Sequence, residues 1–112
     1  MKGTHLGEFE ELTLLLVLIL DEDAYVLKLK EELHQQTNRT MTLGSLHSTL
    51  SRLESKGYLE SEMHAGTKER GGRRKRVYRL TVAGKSALSR ARELRQKLWD
   101  QVPNFALDFS HA

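Results

Sequence analysis

The chain has no cysteine, one proline (Pro103) and one tryptophan (Trp99) in 112 residues. Disulfides, thiol redox sensing and cysteine-ligated metal centres are thereby excluded. The five histidines, His5, His34, His47, His64 and His111, show no metal-ligand spacing. No segment resembles a nucleophile elbow or a phosphate loop. An enzyme, a metal site and a bound cofactor are therefore not expected. The one strongly apolar run, residues 12–20, is broken only by Thr13. It is far shorter than the ~20 residues that span a bilayer. Glu8, Glu10 and Glu11 separate it from the N-terminus, which excludes a signal peptide. These absences point to a cytoplasmic protein with no membrane partner. With 38% apolar and 29% charged residues, the composition suits one α-rich domain with a small core.

Positive charge is concentrated in one place. Lys68, Arg70, Arg73, Arg74, Lys75, Arg76 and Arg79 surround Gly71-Gly72 with only Glu69 opposing them, although the whole chain is only +3. Such a concentration can grip a phosphate backbone. Upstream lies the segment from Tyr58 to Met63, and the alternating Val77-Tyr78-Arg79-Leu80 follows. The pattern predicts a β-hairpin with a basic tip and a basic second strand.

Before it, three helices are expected. The first covers residues 8–20, with Leu12, Leu15, Leu16 and Ile19 at helical spacing. Leu14, Val17, Leu18 and Leu20 make its other faces apolar too. A helix apolar all round is buried all round, either by a second subunit or as the central helix of a monomer. Asp21-Glu22-Asp23 is the expected cap of a second helix over 24–36, with Tyr25, Val26, Leu29 and Leu33 inward and Asn38 as its stop. Thr42 should cap a third helix over 43–56, which Gly57 ends. Leu43, Leu46, Leu50 and Leu53 share one face of it. The opposite face holds Gly44, Ser45, Ser48, Ser51, Arg52 and Ser55, with His47 and Thr49 at its borders. Small side chains let a helix sink into a groove, and hydroxyls can bond phosphates or base edges.

Thr81 should cap a fourth helix that ends before Pro103. Along it Gly84, Ala87, Ala91, Leu94 and Leu98 recur at intervals of 3 and 4, a narrow seam suited to another helix. We assign Leu12, Leu15, Leu16, Ile19, Ala87, Ala91, Leu94 and Leu98 to a homodimer interface; the alternative is a fourth helix folded back on its own domain. Phe105, Leu107 and Phe109 could dock from a short tail. The order of elements is that of a mainly α fold with a small β-hairpin, a winged helix-turn-helix plus a C-terminal dimerisation helix. Residues 1–80 form the DNA-binding domain, 81–102 the dimerisation helix and 103–112 a tail.

These residues together resemble the PadR family of bacterial transcriptional regulators, in its short form with a single C-terminal helix. The most specific part runs from Glu69 through Arg79-Leu80-Thr81 to Ala83-Gly84. Supporting parts are Gly7 to Leu12, Asp23-Ala24-Tyr25, and Leu43-Gly44-Ser45-Leu46 followed by the segment from Thr49 to Tyr58. The resemblance implies a homodimeric repressor on a palindromic operator in double-stranded DNA, with small aromatic effectors for some members. Val26 departs from the family's usual glycine, Asn38 from a frequent glycine and His47 from a usual tyrosine.

For DNA contact, Gly44, Ser45, Ser48 and Arg52 should face the major groove, with His47 and Thr49 at its margins. Arg52 could read guanine or hold a phosphate. Thr42 and the first amides of its helix should meet phosphate. Residues 64–79 form the wing, where Lys68, Arg70, Arg73, Arg74, Lys75 and Arg76 should grip the backbone or enter the minor groove. Trp99, near the end of the seam, would either line an aromatic cleft for a small aromatic ligand or only pack the dimer interface. A different class of function, a winged module using its basic hairpin on an acidic protein, has against it the small-residue face of the third helix.

Overall fold

In the computed structural model, which describes residues 5–65 and 74–108, helix α1 (Glu8–Leu20) starts at an extended Gly7. The Gly7 N–H donates to the Glu10 carboxylate at 2.8 Å, and three acids in the first turn complement the helix dipole. Leu14, Leu16, Val17 and Thr13 point inward. Thr13 tolerates burial because its hydroxyl donates to the Phe9 carbonyl one turn back. The expected interface stripe is therefore rotated. Leu16 belongs to the protein's own core, Leu12 is half-buried, and Leu15, Leu18 and Ile19 are exposed. An all-apolar helix has no polar face from which this rotation could be read.

Asp21–Asp23 form a single 3-10 turn rather than a cap for the next helix. Asp21, at φ 51°, closes α1 by donating its N–H to the Val17 carbonyl. Helix α2 (Val26–Thr37) begins two residues later than expected, after an extended Tyr25, and ends at Asn38 with φ 61°. Helix α3 (Leu43–Ser55) is capped by the Thr42 hydroxyl, which accepts from the Ser45 N–H at 3.0 Å. Leu46, Leu50 and Leu53 are buried, whereas Leu43, expected beside them, is exposed. Gly57, at φ 81°, turns the chain into the hairpin.

Strands β1 (Leu59–His64) and β2 (Lys75–Leu80) are antiparallel, in register from Leu59 opposite Leu80 to His64 opposite Lys75. Tyr78 and Leu80 anchor the hairpin in the core and Val77 is half-buried. The Tyr78 N–H donates to the Ala24 carbonyl at 2.9 Å, which ties β2 to the link between α1 and α2.

Helix α4 (Val82–Gln101) is capped by Thr81, whose hydroxyl accepts from the Gly84 N–H and donates to the Gly57 carbonyl. A Cβ built on Gly84 would lie 2.2 Å from the Tyr58 carbonyl oxygen, so only glycine lets α4 dock there. Ala87 is also buried and joins the core cluster. The expected seam thus splits. Gly84 and Ala87 pack on their own domain, Ala91 is half-buried, and Leu94 and Leu98 are exposed. The core therefore extends past residue 81 into the first turns of α4. Beyond Pro103, Phe105 and Leu107 lie exposed on a turn rather than docked; Phe109 lies outside the described residues.

The acids of the first turn of α1 each bind a different element. Glu8 pairs with Arg39 in the turn between α2 and α3. Glu11 pairs with Arg95 of α4 at 2.9 Å. Glu10, whose side chain is 7% exposed, pairs with Arg52 and Lys56 at the far end of α3. Burial pushes the Glu10 carboxyl upward, but Lys56, the Gly7 N–H and Arg52 outweigh it and hold the carboxyl below its ordinary value. A depressed carboxyl contributes stability that is present above the unfolded value of 4.5 and is lost as pH falls through the folded value.

Two outcomes are expected. Alanine is intrinsically better than glycine in a helix by about 1 kcal/mol, yet Gly84→Ala should destabilise by about 2–3 kcal/mol through overpacking, read as a lower melting temperature by circular dichroism. A rise would mean that α4 does not approach Tyr58 so closely. The melting temperature should also fall as pH drops below about 5, and Glu10→Gln should flatten that fall. Parallel pH profiles for the two proteins would remove Glu10 from the acid-sensitive group.

Candidate nucleic-acid interface

The turn between α2 and α3 leaves the outer side of α3 uncovered. Gly44, Ser45, His47, Ser48, Ser51, Arg52 and Ser55 are exposed. A Cβ on Gly44 would meet nothing within 4 Å, so the protein's own packing does not require glycine there. The absent side chain leaves room for something that approaches from outside. Thr42 and Ser45 are occupied with each other: the Thr42 hydroxyl accepts the Ser45 N–H and donates to the Ser45 hydroxyl at 2.9 Å. The positive end of the helix dipole lies at this same end. Thr49 must be withdrawn from the expected contact set. It is 4% exposed, and its hydroxyl donates to the Ser45 carbonyl inside the helix.

Three of the wing's four described cations are held, each in a different way. Lys75 stands over the Tyr25 ring, 3.8 Å from its centroid, a cation–π contact that stiffens a long side chain without neutralising it. Arg76 donates to the Ser61 hydroxyl at 3.0 Å, and that hydroxyl donates in turn to Glu54 at 2.9 Å. The relay links the wing to the end of α3. Arg79 is paired with Glu60 directly across the sheet at 2.7 Å, and its charge is locally balanced. Arg74 is exposed at the start of β2. Lys68, Arg70 and Arg73, together with Gly71 and Gly72, lie outside the described residues.

Between the start of α2, α3 and β2 is a concavity of about 480 Å³, lined among others by Tyr25, His47, Ser51, Glu54, Lys75 and Arg76. It brings the exposed face of α3 and the base of the wing to one side of the molecule. Two of its links, Lys75 on Tyr25 and the chain from Arg76 through Ser61 to Glu54, join residues far apart in sequence. No local spacing could have revealed them. Arg52 is on the outer side of α3, but its Nε donates to Glu10 at 3.1 Å, a contact whose only sequence trace is the run of acids at the start of α1.

Helices α1 and α4 also carry exposed apolar side chains. Leu15, Leu18 and Ile19 of α1 and Leu94, Leu98 and Trp99 of α4 are all 40–59% exposed. Leu18 was not in the expected interface set, whereas Leu16 and Ala87, which were, lie in the core. A groove of about 430 Å³ between the two helices is bounded by Leu15, Leu18 and Trp99 and by the Glu11–Arg95 pair. Among the described residues no helix is long and apolar enough to cross a membrane, and no cluster of three or more His, Asp or Glu side chains could hold a metal ion.

Comparison with known proteins agrees with this geometry. Residues 14–90 match the transcriptional regulator PadR-like family. A transcriptional regulator of Mycobacterium tuberculosis is 37% identical over 82 residues, covering 73% of this chain and 72% of the relative. An uncharacterised protein of Lysinibacillus sphaericus is 34% identical over 79 residues, covering 69% of this chain and 70% of its own. Among solved structures, a PadR-like transcription factor from Bacteroides fragilis superposes with a TM-score of 0.67 at 24% identity, over 88% of this chain and 89% of that one. A PadR family regulator from Eggerthella lenta gives 0.59 at 28% identity, over 83% and 80%. The winged helix-turn-helix with a long C-terminal helix is thus the PadR fold, and the chain belongs to the PadR-like family of transcriptional regulators, DNA-binding proteins rather than enzymes.

Proposed function

We propose that the protein is a cytoplasmic homodimeric repressor of a palindromic operator. The outer face of α3 enters the major groove, and the wing lies on the backbone or in the minor groove. The observation that supports this most is the pairing, on one side of the molecule, of a small-residue helix face with open space at Gly44 and a strand bearing Arg74, Lys75 and Arg76. Gly44, Ser45, His47 and Ser48 are the groove-facing set, with the Thr42 end of the helix against phosphate. Lys68, Arg70 and Arg73 add positive charge to the sequence between the two strands.

Dimerisation is supported by the exposed ridge of Leu15, Leu18, Ile19, Leu94, Leu98 and Trp99. Covering half-exposed side chains of this size is worth about 1 kcal/mol each, against the entropic cost of association. A two-fold dimer would present one α3 helix to each half-site of a palindrome. The groove beside Trp99 supports a small planar aromatic effector, seated between an aliphatic wall and the Glu11–Arg95 pair.

If about four wing cations per subunit neutralise phosphates, log affinity should fall with log salt at a slope near −7. A slope near −2 would rule out the wing as the principal anchor. Arg73→Ala and Arg74→Ala should weaken binding to all sequences alike, whereas Ser48→Ala should change which operator bases are preferred; a uniform loss at Ser48 would take α3 out of the groove. Planar aromatic compounds should quench Trp99 fluorescence and lower operator affinity. A broad panel without quenching would retire the effector.

A further inference from the structure

Helix α3 and its cap hold two permanent cations, Arg52 and Lys56. Both meet the same carboxylate. The Lys56 ammonium donates to both Glu10 oxygens at 2.9 Å and to the His5 carbonyl at 2.7 Å. That uses the three donors an ammonium has, and the Lys56 side chain is 13% exposed. Arg52 gives its Nε to Glu10 at 3.1 Å while its side chain stays 53% exposed on the outer side of the helix. Glu10 is the only charged residue among the buried side chains described. A carboxylate out of water requires such partners, because an unpaired buried charge is costly.

We propose that Glu10 is a specificity-determining residue for DNA binding: it holds Arg52 of the recognition helix on the protein and away from phosphate, while Lys56 is spent on the same carboxylate and on the His5 carbonyl. The inference rests on the reading that α3 enters the groove. Its physical basis is a division of labour. Phosphate contacts supply affinity that is blind to sequence, and base edges are read by short-range hydrogen bonds and fit. With Lys56 and the Arg52 Nε both bonded to Glu10, one of their two positive charges is balanced, and the rest of the outer face of α3 is glycine, serine and one histidine. Such a face gains little from a non-cognate groove. The long-range attraction is left to the wing. On this proposal Arg52 takes neither of the two roles open to it from sequence, guanine reader or phosphate contact.

Glu10 acts through Arg52 and Lys56 and touches no DNA, so the test reads a gain rather than a loss. Binding of the full-length protein to operator and to an unrelated duplex is measured over a salt series for wild type, Glu10→Gln, Arg52→Gln and the double variant. Glutamine keeps an acceptor for the Gly7 N–H and removes the charge. Glu10→Gln should bind the unrelated duplex roughly tenfold more tightly near 0.1 M salt and steepen the slope by about 2 for a dimer, one added phosphate contact per subunit. The ratio of operator to non-operator affinity should fall. Arg52→Gln alone should leave the slope unchanged, and the double variant should restore the wild-type slope. A structural defect would lower binding to both duplexes and would not be rescued by the second substitution. Should Glu10→Gln fail to fold, Arg52→Gln still decides: a slope shallower by about 2 would show Arg52 on phosphate and overturn the proposal. An unchanged slope for a folded Glu10→Gln would overturn it too. If wild-type protein shows no steep salt dependence at all, the wing-anchored reading fails first, and the two failures are distinguished.

Discussion

A single carboxylate sits where the first helix meets the end of the third, and the geometry of the whole α-helical half follows from satisfying it. Glu10 accepts from the start of its own helix, from Arg52 and from Lys56. Those bonds fix the rotation of α1, because the side of α1 that carries Glu10 must face α3. Thr13, Leu14, Leu16 and Val17 then point into the core, and Leu15, Leu18 and Ile19 point out of it. Glu8 and Glu11, on either side, bind the turn before α3 and the C-terminal helix. One helical turn thus orients three other parts of the chain, and the apolar ridge left on the outside is a by-product of that orientation.

The C-terminal helix is divided by a steric constraint rather than by any change in its secondary structure. Its first two turns fit against Tyr58 because Gly84 has no side chain, and Ala87 completes the contact with a single methyl group. Past Ala91 the helix keeps the Arg95–Glu11 pair with α1, but its leucines and tryptophan are more than half exposed in a lone chain. Small residues at the start and large ones at the end match a helix that first packs tightly and then reaches away.

Capping and turn chemistry were legible from sequence, since Thr42, Thr81, Asn38 and Gly57 act locally and each does what its residue type favours. The hairpin followed from the alternation in Val77 to Leu80. What misled was apolar residues without contrast. With leucine on every side of α1, periodicity could not tell Leu16 inside from Leu18 outside. Thr49 was misleading for a second reason: its hydroxyl bonds the carbonyl one turn back, as that of Thr13 does, so a polar residue could be buried at no loss of hydrogen bonding. The ion pairs of Glu10, and the Lys75 contact with Tyr25, join residues tens of positions apart and leave no local signature.

The bond from the Tyr78 amide to the Ala24 carbonyl uses only main-chain atoms. It fixes where β2 leaves the helical body, and with it the distance between α3 and the base of the wing. The exposed side chains of either element take no part in this bond. The spacing between what the helix touches and what the hairpin touches is therefore a fixed ruler held by the backbone, along which the residues that meet DNA can vary independently.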